Sequence, residues 1–279
     1  MLGIALGLAS SVSWGISDFL GGITSRRAPA LAVLLVSQPV GLVLALIVGL
    51  TAGGSPLSGS DALIAGGGGA AAALALAAFY RAMAIGSVSV VATVGALGVL
   101  VPVFAGLAQG DRPATVQAVG AVAGIAGVVL AAREPHPEWR AAGMASVGLA
   151  ALAALGFGAF FVGLDLASGP QPAWTIVAAR VGGVATLLIV AAFARPSMPF
   201  ERSMLPTLLS IGFLDVLANS LFAVATNHGL LSLVAVAGSL YSAVTVLLAR
   251  FVLGERLAGI QRAGIVLALA GVAMIAAGS

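Results

Sequence analysis

Residues 29–50 read PALAVLLVSQPVGLVLALIVGL, a stretch without one charged side chain. As a helix it is long enough to cross the roughly 30 Å hydrocarbon core of a bilayer, which takes about 20 apolar residues. It is too continuous to be a barrel strand, where polar and apolar residues alternate over about ten positions. In lipid a helix satisfies its own backbone hydrogen bonds, so such a run dictates a membrane helix. Working outward, Gly, Pro and Arg punctuation divides the chain into nine further segments of the same kind. They cover residues 2–22, 61–83, 87–108, 115–132, 141–164, 172–194, 204–226, 230–252 and 259–277. The expected fold is all-α and integral to the membrane, with ten transmembrane helices.

Composition agrees. Hydrophobic residues make up 61% of the chain and charged residues 8%, against about 25% charged in a soluble domain. Twelve basic and nine acidic side chains cannot clothe the outside of 279 residues, so lipid must cover the rest. The stretch from Leu2 to Gly22 has no basic residue before it, and it reads as the first membrane helix rather than a cleavable signal.

Several activities are excluded by missing residues. There is no cysteine, hence no disulfide, thiolate ligand or thiol nucleophile. His136 and His228 fall in different loops, which leaves no HExxH-type zinc pattern, and the absence of lysine removes a Walker-type phosphate loop. The glycines at 66–69 sit inside an apolar helix and read as close helix packing. The formal charge of +3 comes from arginines scattered over short loops, with no basic stripe for nucleic acid. Neither cofactor nor metal is expected. The partners are a small-molecule substrate and the lipid bilayer, with the chain a monomer or homodimer.

Arginine placement gives an orientation. The loops after helices 1, 3, 5, 7 and 9 take Arg26, Arg27, Arg81, Arg133, Arg140, Arg195, Arg202, Arg250, Arg256 and Arg262, while the even loops take only Arg112. Positive charge is retained in the cytoplasm, so both chain ends are expected outside the cell membrane.

The chain also repeats itself. Gly110-Asp111-Arg112, Gln117, Gly120 and Gly127 recur 144 residues later as Gly254-Glu255-Arg256, Gln261, Gly264 and Gly271. Upstream the offset is 143, pairing Trp14-Gly15 with Phe157-Gly158, Gly86 with Gly229, Ser89 with Ser232 and Gly95 with Gly238. One further slip pairs Gln38 with Arg180 and Gly41 with Gly183. The two units, residues 1–137 and 138–279, each hold five helices, an odd number, so the second must enter the membrane the opposite way round. Inverted repeats recur among secondary transporters, where two similar halves rock about a central site.

Trp14-Gly15, the duplicated five-helix unit, the turns Gly110-Asp111-Arg112 and Gly254-Glu255-Arg256, and above all the run from Ser239 through Thr245 to Leu257 resemble the EamA-type branch of the drug/metabolite transporter superfamily. The likeness covers essentially the whole chain. It implies a ten-helix carrier of small metabolites in the cell inner membrane, its central cavity lined by both halves. Asp111 replaces the glutamate usual in the first turn, and Ser242 replaces a common proline, which implies a straighter ninth helix. Many members keep both termini in the cytoplasm, opposite to the arginine count.

An ionisable side chain at membrane depth costs at least about 2.5–3.5 kcal/mol, so it faces a partner or a wet cavity. Arg180, Asp215 and Asp18 are the deep ones. The planar fork of Arg180 suits a substrate carboxylate or phosphate, and it suits equally an ion pair with Asp215 or Asp18. Asp18 and Asp215 qualify as proton carriers, although a hydrogen-bonded packing role is the commoner use of such residues. Asn219, one turn after Asp215, extends a polar stripe that serves a cavity or an interhelical hydrogen bond. Gln38 is the repeat mate of Arg180. Trp14, Tyr80 and Tyr241 either wall a cavity or simply pack, and Phe157 as the mate of Trp14 favours a cavity there. The candidate substrate-binding set is therefore Trp14, Asp18, Gln38, Arg180, Asp215, Asn219 and Tyr241. Asp111 and Glu255 are expected to cap the helices that follow them, and Pro102 to kink helix 4. An intramembrane enzyme would need facing acids or histidines at depth. A non-transporting sensor or assembly protein would have a packed interior.

Overall fold

The computed structural model describes residues 2–57, 59–101, 104–105, 114–131, 140–167, 172–227 and 240–277. Among them are ten α-helices and no strand. They are α1 (Leu2–Thr24), α2 (Ala30–Ala52), α3 (Gly59–Ile85), α4 (Val88–Gly95), α5 (Thr115–Ala131), α6 (Arg140–Leu166), α7 (Pro172–Ala194), α8 (Leu205–Asn227), α9 (Tyr241–Val252) and α10 (Gly259–Ala277). Five stretches, 30–52, 59–85, 143–164, 172–194 and 202–222, are long and apolar enough to cross a membrane. Outward faces are apolar as well: Leu50, Phe193, Phe251 and Val266 are each more than two-thirds exposed. Such a surface is stable against lipid rather than water.

Local sequence sets the helix ends. Pro29 has φ −54°, ready for the first turn of α2. The Ser87 hydroxyl accepts from the Val90 N–H at 3.3 Å, capping α4. Gln117 accepts from the Ala114 N–H at 2.8 Å, and Gln261 accepts from the Ala258 N–H at 3.0 Å. These repeat mates thus perform one capping task at the starts of α5 and α10. Gly254, with φ +65°, makes the turn after α9 that a side chain would strain. The fourth helix tightens to a 3-10 turn over Ala96–Val99. Pro102, Asp111, Arg112, His136 and His228 lie outside the described residues, as do residues 230–239 of the expected ninth helix.

The packing has an approximate two-fold symmetry that follows the sequence repeat. Gly15 of α1 lies against Tyr241 and Val244 of α9, and its mate Gly158 of α6 lies against Gly98 and Val101 of the fourth helix. Gly69 of α3 touches the Ala179 carbonyl of α7, and Gly212 of α8 touches the Ser37 carbonyl of α2. Every partner in the second contact is the partner in the first displaced by 142 or 143 residues. Helices α5 and α10 are themselves mates. Gly120 meets Gly271 and Met274, whereas Gly127 meets Gly264 and Ala268, so the two run antiparallel. The glycines at 66–69 do serve close packing: Gly66 and Gly69 face α7, and Gly68 faces α6.

The largest apolar core gathers Phe19, Leu34, Phe79, Tyr80, Met83, Val91, Leu208 and Ile211. All of these lie toward the end of the bundle where the loops after α1, α3, α7 and α9 meet. At that end the Arg26 guanidinium donates to the carbonyls of Met83 and Gly86, at 3.4 and 3.3 Å. Toward the opposite end, among the described residues, a smaller cluster gathers around Ala45, Trp174 and Val177.

Candidate functional site

Seven of the ten helices wall one cavity of about 130 Å³. All seven candidate residues from the sequence line it: Trp14 and Asp18 from α1, Gln38 from α2, Arg180 from α7, Asp215 and Asn219 from α8, and Tyr241 from α9. Each is carried on a helix and faces inward because its neighbours one turn away do, which is the spacing of Trp14 with Asp18 and of Asp215 with Asn219.

A hydrogen-bonded cluster occupies the polar side. The Arg180 Nη1 donates to Asp215 Oδ2 at 2.6 Å and to Gln38 Oε1 at 2.7 Å. Gln38 Nε2 reaches the same carboxylate oxygen at 3.5 Å. Asn219 Nδ2 donates to the Asp215 carbonyl at 2.6 Å and to its Oδ1 at 3.3 Å. Of the two readings of Arg180, the ion pair with Asp215 is the arrangement found. The Asn219 bond stays within α8 rather than crossing to another helix. Both charged side chains are under one-fifth exposed, so the pair stands largely out of water, where its own hydrogen bonds must replace hydration.

Asp18 differs. Its carboxylate faces the same cavity, yet among the described residues no hydrogen bond or ion pair is made to it. Trp14 and Tyr241 line the cavity with it; Trp14 packs edge-to-face on Tyr241 at 6.3 Å between centroids and, tilted, on Phe222 at 5.7 Å.

Across the cavity the wall is apolar. Ala72, Ala73 and Leu76 come from α3, and Phe157, Phe160 and Phe161 from α6. Sequence reasoning named only Phe157 here. The repeat offset contained three of the others, because 143 residues separate Asp18 from Phe161, Ala72 from Asp215 and Leu76 from Asn219. The offset of 142 likewise relates Gln38 to Arg180 between them. The cavity is thus built at equivalent positions of two similar frames, with charge placed on one wall only.

One open alternative is decided and one expectation is corrected. Tyr80 does not line the cavity; it is 1% exposed in the main core, its ring seated against Gly21 where no larger residue fits. Glu255 does not cap the helix that follows it, a task done by Gln261. It caps α4 of the other half: its Oε1 accepts from the Val88 N–H at 2.8 Å, and its Oε2 from the Ser87 hydroxyl at 3.0 Å and the Ser89 N–H at 3.2 Å. A carboxylate suits this place because the first N–H groups of a helix have no partner within it. Asp165 lies in the last turn of α6, where its side chain is outside the described residues.

A model of the EamA-like transporter family matches the chain twice, over residues 1–133 and 144–277. Eight chains of solved structures match as well. One of them, titled only "Crystal structure of protein", aligns over 98% of this chain and 95% of its own with a TM-score of 0.65 and 18% identity, a likeness of fold. Among curated proteins none matches.

Proposed function

Because the chain belongs to the EamA-like transporter family over both of its halves, we propose that it is a secondary transporter of a small metabolite across the cytoplasmic membrane by alternating access. The substrate class is an amino acid, nucleoside, sugar or drug-like solute. In this reading all ten helices span, residues 1–137 and 138–279 form two oppositely inserted repeats, and the seven polar and aromatic cavity residues bind substrate. The arginine-bearing loops face the cytoplasm.

The single observation that carries the proposal is the cavity on the pseudo-symmetry axis, walled by equivalent positions from both halves. A carrier needs a midplane site that either half can uncover by rocking. The main core and Glu255 fill the arginine-bearing side of that site, so in this reading the carrier is closed on that side. With nucleotide-binding motifs missing, a proton or substrate gradient supplies the energy. Asp18 is the better proton carrier of the two acids, since Asp215 is committed to Arg180. A non-transporting sensor or assembly protein needs no such cavity, and that observation weighs against it.

The test is reconstitution into proteoliposomes, after a thermal-shift screen against amino acids, nucleosides, sugars and cationic compounds. Gradient-driven, saturable uptake of a hit is expected, with a pH dependence that Asp18→Asn removes and Asp215→Asn weakens less. Uptake that is no faster than in empty liposomes for every stabilising compound would refute the transporter reading. An unchanged pH profile in Asp18→Asn would remove that residue as the proton carrier.

A further inference from the structure

We propose that the cavity selects an amphipathic organic monocation, its ammonium or similar head held by the Asp18 carboxylate and its apolar body, about one ring in size, laid on the α6 phenylalanines. This rests on the transporter reading only for the statement that the bound molecule is carried.

Charge balance comes first. Three side chains that can carry charge line the cavity, Asp18, Arg180 and Asp215. Arg180 and Asp215 neutralise each other at 2.6 Å, and Gln38 and Asn219 complete the hydrogen bonding of that pair. Asp18 is left over, with no partner among the described residues. A carboxylate away from bulk water is costly unless a proton or another counter-charge meets it, and the protein itself provides none at this position, so an organic cation takes the place that the carried proton otherwise holds. An anionic ligand would add a second uncompensated charge of the same sign. A monocation brings the site to neutrality.

The surroundings fit the same ligand. Trp14 lies one helical turn from Asp18 on α1, and Tyr241 packs edge-to-face on it. Aromatic faces beside a carboxylate attract a weakly hydrated organic cation through the ring quadrupole. A small, strongly hydrated metal ion would instead need several oxygen ligands. Opposite stand Phe157, Phe160 and Phe161 with Leu76, which offer no polar atom and suit an apolar body. Size sets a limit. The cavity of about 130 Å³ is close to the about 150 Å³ that accommodates one benzene ring. The repeat adds orientation: the mate of Asp18 is Phe161, so a pseudo-symmetric frame holds a single anionic pole, and the ligand is received head to one wall and body to the other.

The experiment uses the purified full-length chain in detergent at fixed pH and ionic strength. Three probes of one shape class are compared by thermal shift and equilibrium binding: benzyltrimethylammonium, benzyl alcohol and benzenesulfonate. The cation is expected to bind and stabilise, with the neutral and anionic probes weaker by about tenfold or more, as loss of a charged hydrogen-bond or ion-pair partner dictates. Asp18→Asn should lose this preference while melting no lower than the parent, because it removes an unpaired buried charge; Asp18→Glu should keep it. Equal or tighter binding of benzenesulfonate or benzyl alcohol overturns the proposal, as does unchanged cation affinity in Asp18→Asn. If Asp18→Asn does not fold, the charge series on the parent chain decides alone. Cation binding without uptake into proteoliposomes would refute the transporter reading and leave this one standing. Uptake of an anion or neutral solute with no cation binding would do the reverse.

Discussion

The two walls of the cavity share one backbone plan and have opposite chemistry. On one side α1 and α8 present Asp18, Asp215 and Asn219; on the other their mates α6 and α3 present Phe161, Ala72 and Leu76. At two of the close helix contacts the halves place glycine at the same position, Gly15 with Gly158 and Gly69 with Gly212. At the positions that face the central space the side chains diverge in charge. Symmetry here is therefore a property of the frame, which any rocking motion needs, and asymmetry is a property of the site, which recognition of one ligand needs.

Breaking the polar wall should have the largest effect. Arg180→Leu leaves Asp215 buried with only the amides of Gln38 and Asn219 for company. Removing one partner of a buried ion pair typically costs about 3–5 kcal/mol, and a loss of that order is expected in denaturant unfolding from mixed micelles. Leu76→Ala on the apolar wall empties space beside an existing cavity and should cost about 1 kcal/mol, less than a truncation in a closed core. Comparable losses for the two variants would mean that the ion pair carries no structural weight.

The frame can be tested by asking whether its mates behave alike. A Cβ at Gly69 would run into the Ala179 carbonyl, and one at Gly212 into the Ser37 carbonyl. Neither obstacle is a flexible side chain, so each Gly→Ala substitution forces helices apart and should cost about 1–3 kcal/mol. The two costs should be similar. A neutral Gly212→Ala beside a damaging Gly69→Ala would show that the α2–α8 and α3–α7 contacts are not equivalent.

Much of this was legible in the sequence, for identifiable reasons. The helices follow from apolar run length, and their mutual packing from the glycine register. The polar cavity residues stood out because membrane depth penalises Arg180, Asp215 and Asp18 unless they face something wet or charged. Ala72, Leu76, Phe160 and Phe161 did not stand out, since an apolar side chain is equally at home facing lipid or facing a cavity. Only the offset of 143 from Asp18, Asp215 and Asn219 points to most of them. Tyr80 stayed open between cavity wall and packing because an aromatic on a membrane helix carries no mark of whether Gly21 or open space lies across from it. Glu255 misled, because a carboxylate beside a helix start invites a local cap, and the N–H groups it serves lie about 167 residues away along the chain.

That long reach makes Glu255 a tie between the two halves at the arginine-bearing end of the bundle. Its carboxylate ties the turn after α9, in the second half, to the first turn of α4, in the first half. Arg26 at 3.9 Å adds little, being more than a third exposed. Replacing Glu255 by Gln keeps the size, removes the charge and turns one hydrogen-bond acceptor into a donor facing helix N–H groups. The loss should be about 1 kcal/mol, the ordinary worth of a cap and its interaction with the helix dipole. That is too little to unfold the chain and enough to shift a balance between two conformations about fivefold. In a chain without cysteine, a single Ala92→Cys on α4, fully buried in this structure, reports the change. A membrane-impermeant thiol reagent added on the arginine-bearing side should label it several times faster when Glu255→Gln is also present. Equal labelling rates would show that Glu255 only finishes the start of α4 and does not hold that end shut.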